Sequence, residues 1–350
     1  MTPQYSFLFN FSASPVGGGL KRLSEYARWF DAHGGAWFAI HPRCAHLRHD
    51  FPRNEFVVIE QSSVRRMLGN LREIRHFSAQ IGTLECYYAY GVPMYERLGA
   101  LNWFHLSNAL PLCWRRVPMP LRDTLKFGVL GHRLRQHMGN ADVISAESQA
   151  SLALIDPALR DRLFLSVNGS DDELAHLRSG EVLAKEPIAT VVGTYRHKAL
   201  EDSCRVFDML RSGDDRLRLL IFGDAAWIPR ELRAHPHVVV MGNRPRAEVI
   251  ATLRRSRYCI STTRVENSSN AASEGVFFAD ESYLSDIGPH RELLDGMPYD
   301  DVAVPGVARP MLHVVRQRVS GANLKSWDDV VGGMIARIRG GPAAASQGLR

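Results

Sequence analysis

Short runs of β-branched and aromatic residues alternate with longer amphipathic stretches along the chain in two successive series. This is the pattern of parallel strands joined by helices. In the first series SFLFNF (6–11), AWFAIHP (36–42), EFVVIEQ (55–61), ECYYAYG (85–91), LNWFHLS (101–107) and ADVISAES (141–148) read as strands. In the second, IATVVGTY (188–195), LRLLIFGD (217–224), HVVVMGN (237–243) and YCISTTR (258–264) do so, followed by ESYLSD (281–286). Helical periodicity marks 198–212, 246–256 and 324–339. The polar segment NGSDDELAHLRSGEVLAKEP (168–187) suits an interdomain connector. A chain of 350 residues, 45% apolar, can bury two cores. The expectation is an α/β protein of two Rossmann-like, doubly wound domains, 1–170 and 187–325, with a helix at 326–340 crossing back to the first. Two such domains facing each other set the carboxyl ends of both sheets across one cleft, where ligands of parallel sheets bind. The closing RGGPAAASQGLR reads as a mobile tail.

The net charge is +6, and residues 1–165 carry the whole excess. That half suits an anionic partner, or simply a solvated basic surface. The five cysteines, Cys44, Cys86, Cys113, Cys204 and Cys259, contain no C-x-x-C pair and read as reduced thiols. The N-terminal MTPQYSFLFNFSASP lacks the basic start and apolar run of a signal peptide, and no 18-residue apolar run occurs. A cytoplasmic protein that does not span a membrane is expected. No nucleic-acid motif is present.

Three segments carry chemistry. FNFSASPVGGGLKRL passes from strand to helix through Gly17, Gly18 and Gly19, whose amides suit an anion or, equally, tight packing. The stretch lacks the Lys-Ser/Thr of a P-loop, which disfavours nucleoside triphosphate hydrolysis. VVGTYRHK (191–198) opens the second half in the same way, bringing Arg196 and Lys198 to the end of a strand where they could hold a diphosphate. ENSSNAASE (266–274) places Glu266 in a loop and Glu274 about one and a half turns into the following helix. Between them Ser268, Ser269 and Asn270 cap the helix and offer amides to a phosphate, with a carboxylate on each side for sugar hydroxyls.

These residues resemble the retaining GT-B glycosyltransferases of the fourth sequence family, whose signature is E-x7-E. Glu266 and Glu274 match that signature, and Asn267 with Asn270 match its E-N-x-x-N form. SDIGPHREL (285–293), SVNGSDD (166–172), LLIFGD and ADVISAESQASLALI are similar to the family's neighbouring segments in order. The resemblance implies a nucleotide-sugar-binding second domain and an acceptor-binding first domain. It places Glu266 against the transferred sugar, Glu274 on the ribose, Arg196 and Lys198 on the diphosphate, and Gly193, Ser269 and Asn270 in the donor site. His105, in NWFHLSN, falls where the family has a histidine near the reacting sugar, and Gly17 to Gly19 where it has a Gly-Gly loop. Two departures stand out: Thr194 replaces the family's Arg after the strand glycine, and GVFFADES follows Glu274 in place of Ala-Met and Gly-x-Pro.

The basic stretches 62–77 and 114–138, interleaved with aromatic and leucine residues, suit an anionic membrane surface or an ordinary solvated face. The resulting expectation is a hexosyltransferase acting from a nucleotide diphosphate sugar on a glycan or lipid-linked glycan in bacterial surface polysaccharide synthesis. It would need no metal or cofactor and would be cytoplasmic, peripheral on the inner face of the membrane. Asp300 and Asp301 read as solvated loop residues. The alternatives are a GT-B-like sugar epimerase or phosphorylase, and a non-catalytic nucleotide-sugar-binding subunit.

Overall fold

The computed structural model describes residues 3–60, 69, 71–180, 183–268, 270–315 and 325–340. The chain forms two compact units: the described parts of Met1–Leu112, Arg122–Ser170 and Lys325–Arg350, and those of Cys113–Leu121 and Asp171–Leu324.

In the first unit β1 (Phe7–Asn10), β2 (Trp37–Ile40), β3 (Glu55–Val58), β4 (Cys86–Tyr90), β5 (Leu101–His105), β6 (Val143–Ala146) and β7 (Leu163–Leu165) form one sheet. Its order is β3-β2-β1-β4-β5-β6-β7, and every neighbouring pair is parallel. Both faces are covered, which is why the strands read as near-continuous apolar runs. Phe7 and Phe9 pack under α1 (Gly17–Ala32) and the C-terminal helix Trp327–Gly340, whereas Leu8 joins the opposite core. That second core takes Ile74 and Phe77 of α2 (Arg72–Ile81) and Leu134 of α3 (Leu121–His137). Aromatic stacking ties the strands laterally: Phe9 lies 5.0 Å from Phe38, and Phe11 4.7 Å from Tyr90.

The second unit repeats the theme. Its strands are β8 (Glu186–Val192), β9 (Arg218–Phe222), β10 (Val238–Gly242), β11 (Ser256–Ser261), β12 (Glu281–Ser285), β13 (Asp300–Val302) and β14 (Met311–Val315), ordered β10-β9-β8-β11-β12-β14-β13. The first five are parallel, and β14 and β13 close the edge antiparallel. The helices between them are α4 (Asp171–Ser179), α5 (Leu200–Arg211), α6 (Arg230–Ala234), α7 (Arg246–Arg255), α8 (Asn270–Phe278) and α9 (Gly288–Leu293).

Four elements depart from the sequence reading. The 168–187 segment is more than a connector, because it contains α4, where Leu177 packs into the core of α7 and α8 and His176 meets the rings of Phe277 and Phe278. Asp300 and Asp301 lie on edge strand β13 and not in a loop; their exposed acids suit an edge that must not recruit another strand. β7 and β14 carry too few residues, or sit too far from turn signals, to stand out in the sequence. The segment 341–350 and most of 62–70 lie outside the described residues.

Trp327 anchors the C-terminal helix to the first unit. Its buried ring meets Tyr26 edge-on at 6.3 Å and receives the Arg22 guanidinium at 5.5 Å. Trp327→Ala is expected to cost about 3–5 kcal/mol in urea unfolding. A change below about 1 kcal/mol, the range of surface substitutions, would show that this helix does not brace the first unit.

Candidate functional site

The second unit has a topological switch point between β8 and β11. Leu219 and Ile221 of β9 share a core with α5 and α6, while Leu220 and Phe222 share the opposite core with α7 and α8. The neighbouring strands β8 and β11 therefore feed helices on opposite faces, and the loops that follow them diverge. A crevice at the carboxyl ends of the strands results.

Hydrogen bonds stitch these two loops together. The Arg264 amide donates to the His197 carbonyl at 2.7 Å, and the Thr263 hydroxyl reaches the same carbonyl at 3.1 Å. The Thr262 hydroxyl bonds the carbonyls of Lys198 and Ala199, each at 2.9 Å. Gly193 adopts φ +96°, and a Cβ there would stand 3.0 Å from Lys198 Cε, so glycine clears a path for the lysine stem. Ala199 adopts the left-handed φ of 48°, the one such non-glycine among the described residues. It marks strain held in place by the stitched loops.

Across this crevice Lys198 Nζ pairs with Glu266, and both side chains are largely buried. Two imidazoles lie close enough to feel the pair. Burial and the neighbouring Lys198 charge lower the His197 pKa to about 4, and burial lowers that of His290 to about 4. His290 Nδ1 donates to the Ser285 carbonyl at 2.7 Å, which leaves Nε2 as a buried acceptor without a hydrogen-bond partner among the described residues.

Glu274, about one turn into α8, is buried and pairs with Arg246 at the start of α7. Arg246 also bonds Asp172 of α4 at 2.9 Å, so one guanidinium ties three helices. Burial opposes its charge but the two carboxylates more than compensate, raising its pKa. Helix α8 begins at Asn270; Ser269 lies outside the described residues. Arg196 lines a cavity of 560 Å³ together with Ala199 and Arg264; Lys198 and Glu266 are not among its walls. The sequence reading placed Arg196 and Lys198 on one diphosphate and missed Arg246, Thr262, Thr263 and His290. Arg246 and Asp172 are distant in sequence from Glu274, so spacing gave no sign of them.

In the first unit His105, at the end of β5, is fully buried and stacks on Tyr90 at 5.0 Å. The Ser145 hydroxyl accepts from Trp103 Nε1 at 2.7 Å and lies 2.8 Å from His105 Nδ1. The Glu147 carboxylate beside Nε2 favours the proton on that nitrogen, which leaves Nδ1 to accept from the Ser145 hydroxyl. The imidazole proton then resides on Nε2, which faces Glu147 at 3.5 Å. Burial and the Arg22 charge lower the His105 pKa to about 4, so the ring is neutral near pH 7. Arg22, fully buried on α1, spends its donors on Tyr26, Asn168, and the hydroxyl and carbonyl of Ser166, while Glu147 stands 3.5 Å away. The candidate Gly17 and Gly18 are exposed at the start of α1, with Gly17 at φ +65°. The preceding Val16 makes no side-chain cap, so this helix start offers free amides. Gly19 lies close to Ser14 and Tyr90: a Cβ there would stand 3.1 Å from the Tyr90 ring.

The three histidines with pKa lowered to about 4, of which His105 and His290 are fully buried and His197 partly, set a pH dependence. Their unfolded pKa is 6.5 and their folded value about 4, so the unfolded chain binds protons first as pH falls. Stability from this source is complete above about pH 6.5 and is lost as pH drops toward 4. His290→Asn is expected to reduce the proton uptake on unfolding by about one near pH 5, measured by calorimetry in buffers of different ionisation heat. Unchanged uptake would mean that His290 is not held neutral.

No known sequence family matches this chain, and no curated protein matches it in sequence. Its similarity to solved structures is one of fold. HepE of Anabaena, in complex with UDP and glucose, is 14% identical over 86% of each chain with a TM-score of 0.56. Sucrose-phosphate synthase from Thermosynechococcus elongatus is 14% identical over 99% of this chain and 91% of its own, with a TM-score of 0.58. WaaG, a glycosyltransferase involved in lipopolysaccharide biosynthesis, is 12% identical over 83% of each, with a TM-score of 0.56. The protein thus has the α/β architecture of the GT-B glycosyltransferases.

Proposed function

We propose that the protein is a retaining glycosyltransferase that moves a hexose or deoxyhexose from a nucleotide diphosphate sugar to a glycan or lipid-linked glycan in bacterial surface polysaccharide assembly. The observation that carries this reading is the Lys198–Glu266 pair at the switch point, on a fold shared with HepE bound to UDP and glucose. A diphosphate arriving in the crevice would draw Lys198 from Glu266. Lys198 and the amides at the start of α8 would then stabilise the charge that develops as the diphosphate leaves. Glu266, released, would accept bonds from hydroxyls of the transferred sugar, and Glu274, oriented by Arg246, from the ribose. The acceptor would attack from the face of the departing group, with no covalent nucleophile and no metal ion. In the first unit, neutral His105 would offer a donor at Nε2 to a sugar hydroxyl, and the amides of Gly17 and Gly18 would offer donors to an anion.

Glu266→Gln is expected to lower transfer about 100-fold or more, as loss of a transition-state contact does, in assays containing EDTA and with the unfolding midpoint preserved. Lys198→Ala should weaken binding of the free nucleoside diphosphate about tenfold or more, the scale of a charge-assisted contact. Full transfer by Glu266→Gln would remove the switch point from the chemistry.

We assign the membrane-facing role to α3. Leu121, Leu125 and Val129 project from it at four-residue spacing and are 74%, 60% and 43% exposed. Arg122 and Lys126 flank them, with Asp123 the one acid of the helix. An apolar ridge with cationic flanks complements an anionic bilayer surface. The protein should float with vesicles containing phosphatidylglycerol, and Leu125→Glu with Val129→Glu should abolish flotation while transfer to a soluble acceptor persists. Flotation unaffected by the double variant would contradict this role. No helix among the described residues is long and apolar enough to cross a membrane.

A further inference from the structure

The 560 Å³ cavity of the second unit lies on the α5 side of the sheet; Ala199 and Arg264 of the two stitched loops line it, but Lys198 and Glu266 do not. Its volume falls in the range of small-molecule sites. Two of the few exposed large apolar side chains in the described residues, Tyr195 and Trp227, stand on its wall. Their rings lie 6.0 Å apart at 61°, forming an open corner. One face of Tyr195 is already covered by His197 at 13°.

Three guanidinium groups, those of Arg196, Arg205 and Arg264, line this cavity against two carboxylates, those of Glu201 and Asp202. Asp202 pairs with both Arg205, at 2.5 Å, and Arg264, at 3.5 Å, so its carboxylate is shared between two guanidinium groups. Arg196 lines the same wall, and its guanidinium has no hydrogen-bond or ion-pair partner among the described residues. An unpaired guanidinium presents a fork matched to a carboxylate or phosphate. The tilted rings offer no parallel slot for a planar base, but they suit the C–H faces of a puckered sugar ring.

The geometry points to a second carbohydrate site, distinct from the donor crevice, that holds an acidic sugar residue: its ring against Tyr195 and Trp227, its anionic group on Arg196. Under the transferase reading on which this role rests, the acidic residue belongs to the acceptor glycan. The binding itself stands independently of that reading. It also removes Arg196 from the diphosphate and leaves that task to Lys198.

The test uses the full chain and four probes: methyl β-glucuronide, methyl β-glucoside, inorganic phosphate and UDP, followed by saturation-transfer NMR and calorimetry. Methyl glucuronide should bind at least fivefold more tightly than methyl glucoside or phosphate alone. Trp227→Ala and Arg196→Gln should each weaken it at least fivefold, and Trp227→Ala should leave UDP binding unchanged. Both side chains are exposed, so neither change removes core packing. Equal affinity for glucuronide and glucoside, insensitivity to both variants, or displacement of the glucuronide by UDP would each overturn the proposal. UDP binding without glucuronide binding would refute this site and spare the transferase reading; the reverse result would do the opposite.

Discussion

The second unit depends on an ion pair held between two loops that leave neighbouring strands for opposite faces of a sheet. Lys198 and Glu266 meet there because Thr262, Thr263 and the Arg264 amide bind the carbonyls of His197, Lys198 and Ala199. Without those bonds the divergent loops would have no reason to keep a lysine and a glutamate in register. A largely buried pair is costly to desolvate and adds little to stability, so its value lies in fixing one arrangement of charges. Flanking imidazoles held neutral by burial add no competing charge to the crevice near pH 7. The left-handed backbone of Ala199 is the local cost of this stitching.

The first unit solves a parallel problem with different residues. Arg22 is taken wholly from water, and its donors are satisfied by Ser166, Asn168 and Tyr26, segments far apart in sequence. That network fixes α1 against the chain that follows β7, and Trp327 covers it. Glu147 sits within reach of both Arg22 and His105. The neutral histidine is therefore poised between a cation and an anion, with its proton on the nitrogen that faces Glu147. Both units thus place fixed polar groups at the carboxyl ends of parallel strands, an arrangement able to meet a charged ligand with little reorganisation.

Much of this was legible in the sequence, for physical reasons. Strands buried on both faces must be apolar throughout, so β1, β4, β8 and β9 stood out, and the spacing of Glu266 and Glu274 marked the helix start between them. What stayed hidden depends on contacts between distant segments. Nothing near Glu274 announces Arg246, nothing near His105 announces Arg22, and the pairing of Lys198 with Glu266 spans 68 positions. The three-residue β7 and β13 are too short for a period-two signal. α4 was obscured by its polarity, because one small apolar face is enough to seat it. Arg196 and Lys198, two positions apart, invited a shared role; the tight turn that contains them puts Arg196 on the wall of the 560 Å³ cavity and Lys198 against Glu266, which spacing alone does not reveal.

The most direct test of the account is hydrogen exchange of the full chain, followed by mass spectrometry, with and without saturating nucleoside diphosphate. Slower exchange at 193–200 and 262–275 in the second unit, lost in Lys198→Ala, is the predicted result. Protection elsewhere that leaves these two loops unchanged would contradict it.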